Sequence, residues 1–500
     1  MAVAVPSQPA PARRARLRLG AIPRPLRGLL VAAAFLSVAW TLAMAPLQGP
    51  DEHNHVGYVQ NLAETGSGPS FGPTEGGSWS TEQVEWQNWQ NLLALIGVAD
   101  ARPGWNTAEE AAYERFTRTM PDGARADGEG PNPVGQNPPF YYAYQTIPYW
   151  LSRWTQLPTR LVVMRLANVP LYLLIVTFAW LAAGEVFGRR RRAQTIAAGS
   201  VALLPQLGFM SGVVNPDIML ATVWAAFAYL ALVAVRVGPK PWVLLALGGI
   251  AGLSALTHGR GLAAVPALAV VLAVVLWRAR PWTRRMALWV AGAGAALAAG
   301  IGIAIAYSSA HGGGASITGE VGSTTGAGSI KGFLSYLWQF YLPPLRTMSP
   351  QGPPYGYRQV YVEGLGGTFG SLEIQYPLWV YDALQLAAGL GLVALVLIAV
   401  RRWEAVRAHA AQIVVVAALP ASMLAVLHVS AYRDLQGPPF DPLLVGRYLL
   451  PLVVSMGLAI AFVCTSLPRR LGSLVGVLVL STFTVLSLCG LGLTVARFYT

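Results

Sequence analysis

Charge is scarce in this sequence. Only 11% of its 500 residues are Asp, Glu, Lys or Arg, against roughly 25% in an ordinary soluble domain. That excludes the row of water-soluble domains that length alone would suggest. Cysteine is nearly missing: Cys464 and Cys489 each lie inside an apolar run, near opposite membrane faces, and no metal-ligand spacing exists. Neither a disulfide nor a cysteine metal site is expected. No repeat relates the two halves, although repeats are common in transporters. A basic groove is also absent. The net charge of +13 is spread over many short segments, which excludes nucleic acid as the partner.

What is present is apolar sequence in long runs. A membrane span needs roughly 20 apolar residues, and about eleven such stretches are expected, at 29–46, 161–187, 193–214, 217–235, 242–257, 261–277, 286–307, 378–400, 410–430, 447–466 and 471–496. The fold class is therefore all-α and polytopic, with a large first extracytoplasmic loop carrying short helices. The organisation is a disordered basic tail (1–27), a transmembrane core (28–307) containing the loop 47–160, a second extracytoplasmic loop (308–377), and C-terminal transmembrane helices (378–500). The second loop starts on a Gly/Ser/Thr-rich, mobile stretch from His311 to Ser329. Ala43-Met44-Ala45 resembles a signal-peptidase site, so a cleaved signal peptide is the alternative for the first run, which is longer than an ordinary signal core. In the first loop, Ser80-Thr81-Glu82-Gln83 and Thr107-Ala108-Glu109-Glu110 fit the capping-box pattern and predict two helix starts. Pro138 to Trp154 reads as an aromatic interfacial helix. Three prolyl-aromatic triplets, at 138–140, 353–355 and 438–440, read as rigid turns that place aromatics at the interface.

Basic residues set the orientation. With the N-terminus inside, the short cytoplasmic segments hold 21 of the 35 basic residues and two of the 22 acidic ones, Glu185 and Glu404. This is a strong positive-inside pattern. It predicts a multi-pass protein of the cytoplasmic (inner) membrane. The polar motifs then gather at the extracytoplasmic face: Pro50-Asp51-Glu52-His53-Asn54-His55 after the first span, Asn215-Pro216-Asp217, Thr257-His258-Gly259-Arg260 at the tip of a short hairpin, Phe369-Gly370 with Glu373, and Gly446-Arg447-Tyr448. Ionisable groups at membrane depth are costly and usually functional.

These residue types suit glycosyl transfer to a hydroxyl. A base must take the hydroxyl proton, and Asp51 is the candidate. A phosphate leaving group needs a cation, and guanidinium forks bind phosphate oxygens, which points to Arg447 and Arg260. Glu52 and His55 would orient the base, or Asp51 and Glu52 would hold a divalent cation, Mg or Mn. His258, Asn215, Asp217, Tyr448, Tyr141 and Tyr142 complete the expected substrate-binding set. Several have plainer readings. Asp51 and Asp217 could be helix caps, Glu52 a first-turn carboxylate favoured by the helix dipole, His53 a surface residue, His258 a buried structural histidine, Arg447 a snorkelling interface residue, and Tyr141 and Tyr142 belt aromatics.

The proline followed by Asp-Glu-x-x-His, Pro138 to Tyr142, Asn215-Pro216-Asp217 and Gly446 to Pro451 resemble the DUF2142 family of bacterial membrane proteins. More broadly they resemble the GT-C glycosyltransferases, which include protein O-mannosyltransferases and aminoarabinose transferases. The resemblance runs from about residue 29 to 497 and departs from the family pattern in the insert at 66–136. It implies a GT-C-like fold, a polyprenyl-phosphate-linked sugar as donor, an extracytoplasmic cell-envelope glycan or lipid as acceptor, and the first-loop acid as base. The rival readings are a transporter or lipid flippase, and a non-catalytic envelope scaffold in which Asp51 is only a cap.

Overall fold

Helix formation follows the apolar runs, and the breaks follow proline and glycine. The structure, a computed structural model, describes residues 22–73, 77–102, 106–311, 329–350, 355–436 and 444–499. Helix α1 (Arg24–Ala43) opens with Pro25 in its first turn, where the missing N–H costs nothing. It buries Leu26, Ala33, Leu36 and Trp40 while Val31, Phe35, Val38 and Leu42 stay exposed, a split between a core stripe and a lipid stripe. A tight loop leads to α2 (Glu52–Thr65). The insert carries α3 (Thr81–Trp89), the single turn α4 (Leu92–Leu95) and α5 (Thr107–Arg118). Then come α6 (Phe140–Leu151), α7 (Leu157–Leu166), α8 (Val169–Phe187), α9 (Arg191–Ala202), α10 (Pro205–Ser211), α11 (Asp217–Val237) and α12 (Pro241–Thr257). A 3₁₀ turn, Gly259–Ala263, precedes α13 (Ala264–Arg278). After α14 (Arg284–Ala310) and α15 (Ile330–Tyr341), a minimal antiparallel pair, β1 (Thr368–Phe369) and β2 (Ile374–Gln375), sets Thr368 opposite Gln375. Helices α16 (Leu378–Arg401) and α17 (Ala410–Asp434), the 3₁₀ turn Gly446–Leu452, α18 (Val453–Ser466) and α19 (Arg469–Tyr499) complete the chain.

Among the described residues, nine helical stretches are long and apolar enough to cross a membrane, and α12 is a shorter apolar helix. The all-α polytopic expectation holds. The expected span at 193–214 does not: it is two helices, α9 and α10, broken at Leu203–Leu204. Pro205 offers no N–H and its ring clashes with the preceding turn, so the chain restarts there. Helix α11 lies at the centre, with 89% of its apolar window buried, whereas α16 has 0% and forms the lipid-facing rim.

Lipid tails are as apolar as leucine, so close packing rather than water exclusion holds such helices together. Small residues supply it. Gly248 of α12 lies against the Ala293 backbone of α14, and Gly252 meets Gly300. Trp40 packs between Phe209 and Phe369, at ring-centroid distances of 5.3 and 4.7 Å. The tip at Thr257–Arg260 is buried inside protein, with Thr257 at 0% and Arg260 at 7% exposure, as irregular backbone at membrane depth must be.

The insert differs in detail from expectation. Ser80 caps α3, accepting from the Gln83 N–H at 3.2 Å. The cap of α5 is Asn106, which accepts from Ala108 and Glu109, so that helix starts one residue earlier than the Thr107 pattern implied. Residues 1–21 of the expected tail, Pro353 and Pro354, the triplet at 438–440 and most of the 311–329 stretch lie outside the described residues, and Arg24 to Arg27 belong to α1 rather than to a disordered tail.

Candidate active site

Helix ends build the site. Asp51 follows α1, Asp217 begins α11, Arg260 follows α12, and Arg447 lies in the 3₁₀ turn ahead of α18. Successive spans run in alternating directions, so these four termini meet at one end of the bundle.

Asp51 is the least ordinary of them. It occupies the N-cap position of α2, yet its φ is +56° and its side chain makes no cap hydrogen bond. A left-handed backbone costs a residue other than glycine about 1–2 kcal/mol, with Asp among the more tolerant types. The carboxylate reaches across the chain instead: Oδ2 accepts from Arg447 Nη2 at 2.6 Å. The plain reading of Asp51 as a cap is therefore wrong. Its side chain keeps 48% exposure while that of Arg447 keeps 9%. Burial alone would raise the Asp51 pKa. The Arg447 guanidinium, helped by His55 and by the hydrogen bond itself, outweighs that and holds it below the usual carboxylate range.

Charges alternate from there. Arg447 Nε lies 3.4 Å from Asp217 Oδ2, a charge contact without hydrogen-bond alignment. Asp217 Oδ1 accepts from Arg260 Nη2 at 2.7 Å. Arg260 Cζ lies over the Tyr448 ring, 3.4 Å from its centroid, and the Arg260 main-chain N–H donates to His258 Nδ1 at 3.2 Å. Arg260 Nη1 is buried with no hydrogen-bond partner among the described residues. Thus Asp51, Arg447, Asp217, Arg260, Tyr448 and His258 form one connected group. Asp217 is no cap either, since both of its oxygens face arginines. Gly446 is required beside them, because a Cβ there would sit 2.3 Å from the Gly364 backbone.

A neutral layer supports the charged one. Asn215 Oδ1 accepts from the Asp217 N–H, which fixes Nδ2 as the donor to Pro50 O and to His55 Nε2, both at 3.1 Å. His55 Nδ1 then carries the proton and donates to Tyr142 OH at 2.9 Å. Burial pushes His55 down to about 4 and lowers His53 as well. With both ring nitrogens occupied and 4% exposure, His55 braces Asn215 and is not placed for proton transfer, a correction to its expected catalytic role. Tyr141 and Tyr142 are 0% exposed, so neither is a belt residue or an open sugar platform. Tyr141 OH accepts from the Asn215 N–H at 2.9 Å, and Tyr142 stacks on Tyr58 at 3.6 Å. The outward face of α6 belongs to Ile147, Trp150 and Leu151.

Glu52 requires the largest correction. It points away from Asp51, into the core, at 0% exposure. Its carboxylate accepts from Arg165 through Nε at 2.8 Å and Nη2 at 2.5 Å, from the Val214 N–H at 2.8 Å and from the Gly49 N–H at 3.3 Å. Four donors saturate it, so Asp51 and Glu52 do not fit a shared divalent cation. No group of three acidic, histidine or cysteine side chains with metal-ligand geometry occurs among the described residues. Arg165 also donates to Thr41 O, Met44 O and Ala45 O. It therefore ties the end of α1 to the loop that holds Asp51.

Arg165 is the residue that the sequence reading missed. The signal was available, an arginine inside an apolar run. Asn168 was missed too: it joins Tyr141 to Val213 O. The insert docks on α2 through Glu82, which pairs with Arg160 and Arg125 and accepts from Gln60 at 2.8 Å. Further contacts run from Gln83 to His53 O and from Asn132 to Asn54 O. It therefore overlies the first turns of the helix that Asp51 begins.

No curated protein matches the sequence. Two crystal structures of ArnT from Cupriavidus metallidurans are similar in shape at 15% identity and a TM-score of 0.45. The apo structure aligns over 89% of this chain and 60% of its own, the one bound to undecaprenyl phosphate over 94% and 76%. The chain thus spans less than two thirds of the first of these. A family model described as "Predicted membrane protein (DUF2142)" matches residues 34–456, most of the chain and every element of the site, and on that match the chain belongs to the DUF2142 family.

Proposed function

We propose that this protein is an integral membrane glycosyltransferase that moves a sugar from a polyprenyl-phosphate donor to a hydroxyl of a cell-envelope acceptor, on the extracytoplasmic face of the cytoplasmic membrane, with its N-terminus inside. The observation that carries this reading is the half-open Asp51 carboxylate, held in a strained backbone beside two buried arginines that already share Asp217. Oδ2 of Asp51 is taken by Arg447, and Oδ1 is left to receive a proton. The acceptor oxygen bonds to the anomeric carbon as its proton passes to Asp51. The bond from that carbon to the phosphate oxygen breaks, and its electron pair leaves on the polyprenyl phosphate. Arg447 and Arg260 face the charge that develops there, and Arg260 Nη1 supplies an uncommitted donor.

The ion pair also offers a reason for its own geometry. A carboxylate held low by Arg447 is a weak base. A donor phosphate that draws Arg447 toward itself weakens that hold, so the base strengthens when the donor is in place. General-base catalysis of this kind contributes about 10²–10⁴-fold. A strain lacking the protein should accumulate a polyprenyl-phosphate sugar. Wild-type protein should restore its turnover, and Asp51→Asn, present at the same membrane level, should not. Turnover by Asp51→Asn would remove Asp51 from its role, and an unchanged lipid-linked sugar pool in the deletion strain would remove the donor.

A further inference from the structure

We propose that the groove between α12 and α14 receives the isoprenoid tail of a polyprenyl phosphate, delivering its phosphate to Arg260. The inference rests on the glycosyltransferase reading and adds the place where the lipid lies. The two helices touch backbone to backbone at Gly248 and Gly252. On the flank of that seam is a shallow groove of about 430 Å³, with only aliphatic residues lining it, among them Ala246, Gly249, Leu253, Leu256, Ala296 and Ile303. A Cβ at Gly249 would meet nothing within 4 Å, so the floor of the groove is empty at that point. Ile303 itself is 57% exposed.

Both walls lead to the site. On α12, Leu256 is followed two residues later by His258 and four later by Arg260. On α14, Ile303 lies one turn before Tyr307, whose hydroxyl is 2.6 Å from that of Tyr58, the residue stacked on Tyr142. From Ala246 to Leu256 the groove runs about 15 Å at 1.5 Å per residue, close to half of a hydrocarbon core of about 30 Å. Its Leu256 end therefore lies four residues before the buried Arg260, and its other end near the middle of the bilayer. An aliphatic groove, on a helix followed within one turn by a buried guanidinium with an unpartnered N–H, matches one molecule, a single apolar chain carrying a phosphate head.

Photo-crosslinking in phosphatidylethanolamine nanodiscs tests this, with a long-chain polyprenyl phosphate bearing a diazirine in its tail as the probe. Label should appear on α12 and α14 peptides lining the groove, displaced by unlabelled polyprenyl phosphate and not by phosphatidylglycerol. Gly249→Leu fills the groove and should cut this labelling about tenfold, a decade of affinity. Gly294→Leu adds the same bulk at an open position of α14 outside the groove and should leave labelling unchanged, which controls for folding. Saturable label elsewhere on the protein, or undiminished label in Gly249→Leu, overturns the groove while the donor class stands. Equal displacement by phosphatidylglycerol reduces the groove to a general lipid contact and also overturns the inference. No saturable label anywhere would count against the polyprenyl-phosphate donor itself.

Discussion

The carboxylate proposed to accept the proton and the guanidinium proposed to face the phosphate are hydrogen-bonded to each other at 2.6 Å. That is the central fact at the scale of residues. Because Arg447 holds the Asp51 carboxyl below its ordinary range, the acid limb of kcat/KM, which reports free-enzyme groups, should lie below the usual value of about 3.9. Arg447→Gln removes the largest lowering influence while desolvation remains, so that limb should move upward in pH, in addition to any loss of rate. A limb that stays put would mean that Asp51 is not the titrating base. The same sign governs stability. The pair contributes above the unfolded carboxyl pKa, and the contribution is lost as pH falls through the lowered native value.

Neighbouring acids in this chain have opposite duties. Asp51 is half exposed, and if its charge is removed the buried Arg447 still faces a second carboxylate, Asp217. Glu52 is fully buried against Arg165, and breaking a buried pair leaves an unpaired charge at a cost of about 3–5 kcal/mol. Thermal unfolding in detergent should therefore show a large drop in midpoint for Glu52→Gln and little change for Asp51→Asn. The opposite order would exchange their assigned roles. Nothing in the string Asp51-Glu52 distinguishes the two. The left-handed turn at Asp51 sends one side chain outward and the next into the core.

At the scale of elements, backbone chemistry decides what hydropathy cannot. The run at 193–214 is apolar enough for a span, and Pro205 breaks it. Just after the break the Gln206 side-chain oxygen accepts from the Thr368 N–H at 3.1 Å, and the chain then enters the stretch whose Val214 N–H holds Glu52. In the insert, Asn106→Ala should cost about 1 kcal/mol as a lost N-cap. Native-state hydrogen exchange should quicken across α5 and not across α3. Thr107→Ala, at the position that the sequence pattern favoured, should do neither. Comparable acceleration in the Thr107 variant would return the cap to that residue.

The whole molecule is a bundle whose proposed site lies at one end, and the positive-inside pattern predicts which side of the membrane that end faces. If the basic segments are cytoplasmic, a cysteine at Asp122, exposed in the insert, should react with a membrane-impermeant maleimide in intact spheroplasts. One at Glu404, exposed between α16 and α17, should react only after permeabilisation. Both would be made in a background with Cys464 and Cys489 replaced by serine. The reverse pattern would invert the topology and put the site on the cytoplasmic side.

Sequence alone determined the membrane-spanning, all-helical architecture, because hydropathy and proline act through a few neighbouring residues and need no tertiary partner. It also picked out Asp51, Asp217, Arg260 and Arg447, since a charge in an apolar setting is conspicuous wherever the chain later goes. Tertiary structure decided which of those charges meet. The Asp51–Arg447 bond joins residues 396 positions apart, and no local pattern encodes such a distance. It also turned Glu52 and His55, expected to orient the base or hold a cation, and Tyr141 and Tyr142, expected to bind substrate, into structural supports, because burial and the saturation of hydrogen-bonding capacity belong to the packed molecule and not to the residue type.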